Sequence, residues 1–243
     1  MKYIRCFMFV FLILFTGVYC KISILSMNTD FSTEALLEAE KNSVLSNLNI
    51  EVCQAEPEKH TIDCFDVNED GTIALGYDIS SKKVIAIYSN EMVFQYAYQF
   101  QCEGLFGVEW DEDILLVYLV RSDVAIAIDA DGTIQEALKI QNTGANNTYW
   151  NHYVFSNKRI VGDRVYWLKN DIGFLNAFSN SYSQLIVENN GENSVVYDAG
   201  VEQLLKSVLL FAFFIIFVVC IIFILTRYLL KNHTKWLGTG KNS

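Results

Sequence analysis

Asp66-Val-Asn68-Glu-Asp70-Gly71 is the most metal-like string in the chain. Oxygen side chains at its first, third and fifth positions and glycine at its sixth are the opening half of a calcium loop. The twelfth position, where a bidentate glutamate closes such a loop, is Tyr77, and strand-forming residues flank the string. Asp66, Asn68 and Asp70 are thus weak calcium candidates, with a hairpin turn as the simpler reading. Glu109, Asp111 and Asp113 place carboxylates at strand spacing, the hardware of glycoside hydrolysis if two of them share a face. An acidic surface turn uses the same residues. The string HExxH and the elbow GxSxG are absent. His152, in Asn151-His-Tyr-Val, reads as a residue packed in a strand. No catalytic residue, cofactor or zinc site is expected, and the chain does not read as an enzyme.

Aromatic residues offer a different chemistry. Phe94, Tyr96, Tyr98 and Phe100 alternate with Gln95, Ala97 and Gln99, so one face of a strand carries four rings. They form either core or, with Trp110, a stacking platform for a sugar or peptide. Tyr96, Tyr98 and Trp110 are the platform candidates. Cys53 and Cys64 close a loop of about a dozen residues, and a bridge there adds ~3 kcal/mol on the chain-entropy model. Cys102 is the alternative partner of either, or a buried thiol.

The elements that carry these residues are short strands. Thr72–Tyr77, Val84–Tyr88, Val93–Phe100, Ile114–Val120, Val124–Ile128, Thr133–Ile140, Arg164–Leu168, Gln184–Val187 and Ser194–Tyr197 are rich in β-branched and aromatic residues. Asp70-Gly71, Asp131-Gly132 and Asn190-Gly191 lie between runs and supply the positive φ of tight hairpins. Val84–Tyr88 precedes Val124–Ile128 by 40 residues, and a longer third unit ends at Gly191–Asp198. A period near 40 is the size of a four-stranded blade, and a competing register of 61 links Asp70-Gly-Thr-Ile with Asp131-Gly-Thr-Ile. The expected fold is all-β: an open antiparallel meander or propeller-like arc of about three blade-like units. Ser32–Leu48 is the soluble helix signal, with Leu37, Val44 and Leu48 on one face and Ser32 as its cap.

Charge divides the 243 residues into zones. All 28 acids lie between Asp30 and Glu202. Residues 21–206 carry 12 bases, a net of −16, while the two ends carry bases alone. Such a segment repels phosphate and excludes nucleic acid as a partner. Ser207–Thr226 is an uncharged run of 20 residues, 16 of them Leu, Ile, Val or Phe. At ~1.5 Å per residue it spans ~30 Å, a bilayer core. Lys2 and Arg5, then the apolar Phe7–Phe15, then small residues before Lys21 form a signal-peptide pattern; an uncleaved anchor is the alternative. The expected organisation is a signal peptide over 1–20, a helical or extended segment over 21–63, and a β-meander domain over 64–203. A transmembrane helix over 207–226 and a basic cytoplasmic tail over 227–243 complete it. Basic tails are retained inside, which puts the acidic domain outside the cell membrane.

Phe106-Gly-Val-Glu-Trp-Asp111, Val120-Arg-Ser-Asp-Val-Ala125, Tyr149-Trp-Asn-His-Tyr-Val-Phe155 and Ser181-Tyr-Ser-Gln-Leu185 resemble stretches of a group of uncharacterised exported, membrane-associated bacterial proteins with propeller-like β repeats. The resemblance runs from about Cys64 to Asp198. It implies that architecture and a bacterial envelope setting, and it carries no functional residue. The expected role is binding, sensing or scaffolding at the cell surface, with a protein or carbohydrate ligand outside. The alternatives are a glycosidase-like hydrolase using acidic loop residues and a structural subunit of a membrane complex.

Overall fold

The computed structural model describes residues 27–79 and 82–238. The signal-peptide pattern and Lys241 lie outside the described residues.

From Cys64 onward the chain makes three antiparallel meanders of four strands each, one after another. The first is β3 (Cys64–Val67), β4 (Ile73–Ile79), β5 (Lys82–Tyr88) and β6 (Phe94–Phe100). The second is β7 (Phe106–Asp111), β8 (Ile114–Leu119), β9 (Val124–Ile128) and β10 (Ile134–Ile140). The third is β11 (Lys158–Val161), β12 (Arg164–Lys169), β13 (Gln184–Asn189) and β14 (Glu192–Asp198). Two short N-terminal strands complete the first two sheets. β2 (Glu51–Cys53) pairs with β6, and β1 (Thr33–Ala35) pairs with β10. The sheets do not close into a barrel.

The 40-residue register is the structural one. β5 and β9 are both third strands of their meanders, and β6 and β10 both fourth. The 61-residue register repeats only a turn. Asn68 donates its backbone N–H to Thr72 O at 2.8 Å, and Asp129 to Thr133 O at 3.1 Å. Asp70 and Asp131 each accept from the threonine N–H two residues on. One such turn joins β3 to β4 and the other β9 to β10, so the likeness is local turn chemistry.

The first sheet lies between the other two. One core joins its Cys64, Ile85, Ile87, Tyr98 and Phe100 to Val108, Leu115, Val117, Ile126 and Ile128 of the second sheet. Another joins Phe65, Leu75, Tyr77, Val84 and Ala86 to Tyr166, Leu168, Leu185 and Tyr197 of the third. The second sheet is covered on its far face as well, by Met27, Phe31 and the insert before β11. Coverage of both faces explains why β9 reads Val-Ala-Ile-Ala-Ile with every residue buried rather than alternating. The far face of the third sheet has no such cover: Ile160 is 66% exposed and Val195 53%. Its last strand, β14, is also an edge without a further strand.

Helix α1 spans Glu38–Leu48, shorter than the sequence suggested. Residues 33–35 pair as β1 instead, so Ser32 is not a cap, and Leu37, expected on the buried stripe, is 70% exposed. Filling the open edge of β10 outweighs the local helix propensity there. The insert between β10 and β11 is α2 (Gly144–Tyr149) followed by a π turn, Trp150–Val154. His152 stands exposed on that turn, not in a strand. Helix α3 runs from Gly200 to Gly238. Its stretch Gly200–Leu229 is long and apolar enough to cross a membrane, and its most apolar window is not buried in the protein. It begins inside the domain, seven residues ahead of the uncharged run, with no linker after β14.

Candidate functional site

Each meander presents its first strand at one edge, and these edges converge: β3 packs along β7, and β11 meets β3. A cavity of about 990 Å³ opens where they meet. Its floor is made by one residue from each first strand: Asp66, Glu109 and Arg159.

Asp66 and Arg159 form a buried ion pair. Arg159 Nε donates to Asp66 Oδ1 at 2.6 Å, and the side chains are 6% and 4% exposed respectively. Trp110 N–H donates to the other oxygen, Oδ2, at 2.7 Å. The guanidinium also donates to Phe65 O, Ser156 O and Lys158 O and lies over the rings of Phe65 and Tyr153. Burial pushes the Asp66 carboxyl up from the ordinary range, against the lowering effect of Arg159 and the Trp110 N–H. A buried charge costs several kcal/mol unless it is paired and hydrogen-bonded, and both conditions are met here.

Glu109 is held by two phenols. Tyr149 Oη donates to Oε1 at 2.6 Å, and Tyr118 Oη to Oε2. Burial raises the Glu109 carboxyl, partly offset by these two hydrogen bonds. Tyr149 comes from α2 and Tyr118 from β8, so Glu109 fastens the insert to the second sheet. Phe31 completes this wall, with its ring 4.9 Å from Tyr118, 4.7 Å from Tyr149 and 4.8 Å from Trp150. Asn146 secures it from outside by accepting from Ser32 N–H and donating to Ser32 O.

The rim is acidic. Two hairpins that are far apart in sequence supply it: Glu69 and Asp70 from the β3–β4 turn, and Asp111 at the end of β7 with Glu112 and Asp113 from the β7–β8 turn. Asn68 Nδ2 donates to Glu112 O at 2.8 Å and ties the two together. Asp30 adds a further carboxylate from the N-terminal segment. Among the described residues Glu69, Glu112 and Asp113 are in no ion pair, and Arg159 is the only base lining the cavity.

The three calcium candidates turn to protein partners. Asp66 turns into the ion pair, Asn68 bridges to Glu112 O, and Asp70 accepts from Thr72 N–H and Oγ1. No group of three His, Cys, Asp or Glu among the described residues is arranged to hold a metal ion. The aromatic row is also divided. Tyr98 is 1% exposed and donates to Asp129 O at 2.8 Å. Tyr96 and Phe100 pack in the same core, whereas a register shift at Tyr88 sends Phe94 into the core facing the third sheet. Tyr96 and Tyr98 therefore form no open platform. Trp110 does line the cavity, half-buried, with an Nε1 that has no acceptor among the described residues. Cys53 and Cys64 are free thiols on opposite edge strands of the first sheet, with three strands between them. At ~4.8 Å per strand spacing that is several times the reach of a disulfide. Cys102 is a free, half-buried thiol, and burial lifts its pKa to about 11.

Sequence reasoning missed Arg159 and Asp30. Arg159 sits in a four-residue strand too short to show a pattern, yet it is one of only two adjacent basic pairs within residues 21–206. Compared with known proteins, the chain matches no family model, no curated protein and no solved structure.

Proposed function

We propose that the protein is a membrane-anchored binding module without catalytic activity, whose acidic cavity receives a cationic group of a protein partner. The observation that carries this reading is the division of labour in the cavity. All four carboxylate oxygens of Asp66 and Glu109 at the floor are already hydrogen-bonded, so they give shape and rigidity. The rim carboxylates face an opening large enough for a side chain or short peptide and supply the attraction. A glycosidase needs one carboxyl to give a proton and a second to attack or to activate water, whereas each floor carboxylate oxygen already accepts a hydrogen bond that ties it to the wall, Asp66 through its ion pair with Arg159.

The propeller-like arc is part of the proposal. Three successive four-stranded units with converging first strands support it. So is the placement: α3 crosses the cell membrane once, and the −16 domain stands on the outer side with the basic tail within. The resemblance to exported bacterial proteins agrees with an envelope setting.

A second reading, a structural subunit of a membrane complex, is favoured by one feature. Among the described residues the third sheet leaves Ile160 and Val195 exposed on its far face and β14 unpaired on one side, and such surfaces call for a neighbour.

Full-length protein in phosphatidylcholine nanodiscs, titrated with a lysine-rich peptide and with a glutamate-rich one, tests the binding reading. The lysine peptide should bind, more weakly as salt rises. The triple variant Asp111→Asn, Glu112→Gln, Asp113→Asn should lower that affinity by about tenfold or more. Equal binding by wild type and triple variant, or hydrolysis of an oligosaccharide by the purified protein, would sink it.

A further inference from the structure

The connection between β12 and β13 carries no charge after Asp171, and the charge-free stretch runs on to Val187, in a segment with a net of −16. Its first half is a 3-10 turn, Gly173–Phe178, that packs against α3. The contacts lie well down the helix. Phe178 sits 5.4 Å from the ring of Phe211 and 6.4 Å from that of Phe214, and Phe174 sits 5.8 Å from Phe211. Lys206 is the last charge before the apolar run. At ~1.5 Å per residue, Phe211 and Phe214 are about 8 and 12 Å beyond it along the axis.

The base of the turn is fixed to the start of the helix by polar contacts. Gln203 is buried, and its Nε2 lies within hydrogen-bond distance of Asn170 Oδ1, Ser179 Oγ and Ser181 O. The turn satisfies much of its own backbone: Leu175 N–H donates to Ile172 O, Ser179 N–H to Asn176 O, and Ile172 N–H to Asn176 Oδ1. Such bonds lower the cost of moving irregular backbone from water toward the headgroup region. Yet Phe174, at its tip, is 73% exposed to whatever surrounds α3.

We infer that the Gly173–Phe178 turn is a second membrane contact, an aromatic wedge that enters the outer lipid interface beside α3 and holds the domain at one tilt on the bilayer. This rests on the reading that α3 crosses the membrane. The Phe211 contact, about 8 Å beyond Lys206, falls within the ~5–10 Å at which interfacial segments lie, at the boundary of headgroups and acyl chains, and the Phe214 contact falls just below it. Lipid is the occupant because the tip continues the surface of a helix whose own exposed side chains, Phe213, Ile216 and Phe217 among them, require hydrocarbon. A water-facing turn would gain nothing from an exposed phenylalanine and a charge-free sequence.

The test places a fluorine-bearing phenylalanine at position 174, and separately at Phe217 in mid-helix, in full-length protein in phosphatidylcholine nanodiscs. Both sites carry phenylalanine natively and are exposed, so folding is not at stake. Fluorine spectra are recorded with a soluble gadolinium chelate, with lipid bearing a doxyl group near the carbonyl end of its chain, and with lipid bearing it near the chain end. The expected result is loss of the 174 signal with the shallow doxyl lipid and its survival with gadolinium. If gadolinium removes the 174 signal while the deep doxyl lipid removes that of 217, the helix spans and the wedge is wrong. If neither probe touches 174, protein covers it, a second copy being the simplest occupant, and the wedge is again wrong. Survival of the 217 signal with the deep doxyl lipid would overturn the spanning reading itself, and the wedge with it.

Discussion

Asp63 shows how burial at a single residue becomes a pH dependence. Its carboxylate accepts the Asp78 N–H at 3.0 Å, but burial dominates and lifts its pKa from 3.8 to about 6, with the Asp78 charge adding to the rise and Lys83 opposing it. Above pH 6 the group is ionised in both folded and unfolded chains, and the folded state bears the full cost. As pH falls from 7 toward 4 the folded chain takes up a proton first, so stability rises over that window. Asp66 and Glu109 are raised as well and act in the same direction. Asp63→Asn keeps an acceptor for the Asp78 N–H and removes the titration. In urea unfolding at pH 7 and pH 5, wild type should gain about 1 kcal/mol more on acidification than the variant does. Equal gains in the two proteins would place the effect elsewhere. None of this is legible in a sequence, because an aspartate's pKa depends on what covers it.

At the scale of elements, the second sheet and the insert are joined by a contact that leaves no room for a methyl group. A Cβ on Gly107, in β7, would stand 2.2 Å from Val154 Cγ1 in the π turn, and Val154 is fully buried. Gly107→Ala should cost about 1–3 kcal/mol through overpacking. The double variant with Val154→Ala should lose less than the sum of the two single losses, since the second change removes the obstructing methyl. Additive losses in denaturant melts would mean that the insert shifts freely. The nine strands expected from β-branched and aromatic runs all appear, because a strand covered on both faces is apolar along its length and one covered on a single face alternates. The strands missed are β1, β2, β3, β7 and β11; four of them have three or four residues, and β7, with six, contains Gly107. They are strands because a neighbouring edge has unpaired backbone to fill, a cause that lies in another part of the chain.

At the scale of the whole molecule, the domain and α3 form one body. β14 runs into the helix at Gly200, and Glu202 accepts from the His60 ring and from Thr61 N–H, while Gln203 gathers the turn of the third sheet. Gln203→Ala removes a donor from Asn170 Oδ1, Ser179 Oγ and Ser181 O; the first and last keep Ser183 N–H and Asn170 Nδ2, so the cost is about 0.5–1.5 kcal/mol. It should speed amide exchange across residues 170–183 and shorten the anisotropy decay of the domain's tryptophans in nanodiscs. Unchanged exchange and decay would show that apolar packing alone holds the two parts together.

The sequence by itself determined the zones: the charge-free run, the acidic middle, and a meander of three units punctuated by Asp-Gly and Asn-Gly. These are statements about solvent and local backbone, and such preferences act on each residue where it stands. The acidic strings around Asp66 and Asp111 were also visible, but as two separate turns. Only the tertiary structure decided that they share one cavity, that Arg159 pairs with Asp66 at its floor, that Cys53 and Cys64 lie a sheet's width apart, and that Tyr98 is core. Each of these depends on which edges meet across long loops, and pairing between distant strands is set by the packing of the whole chain rather than by any stretch of it.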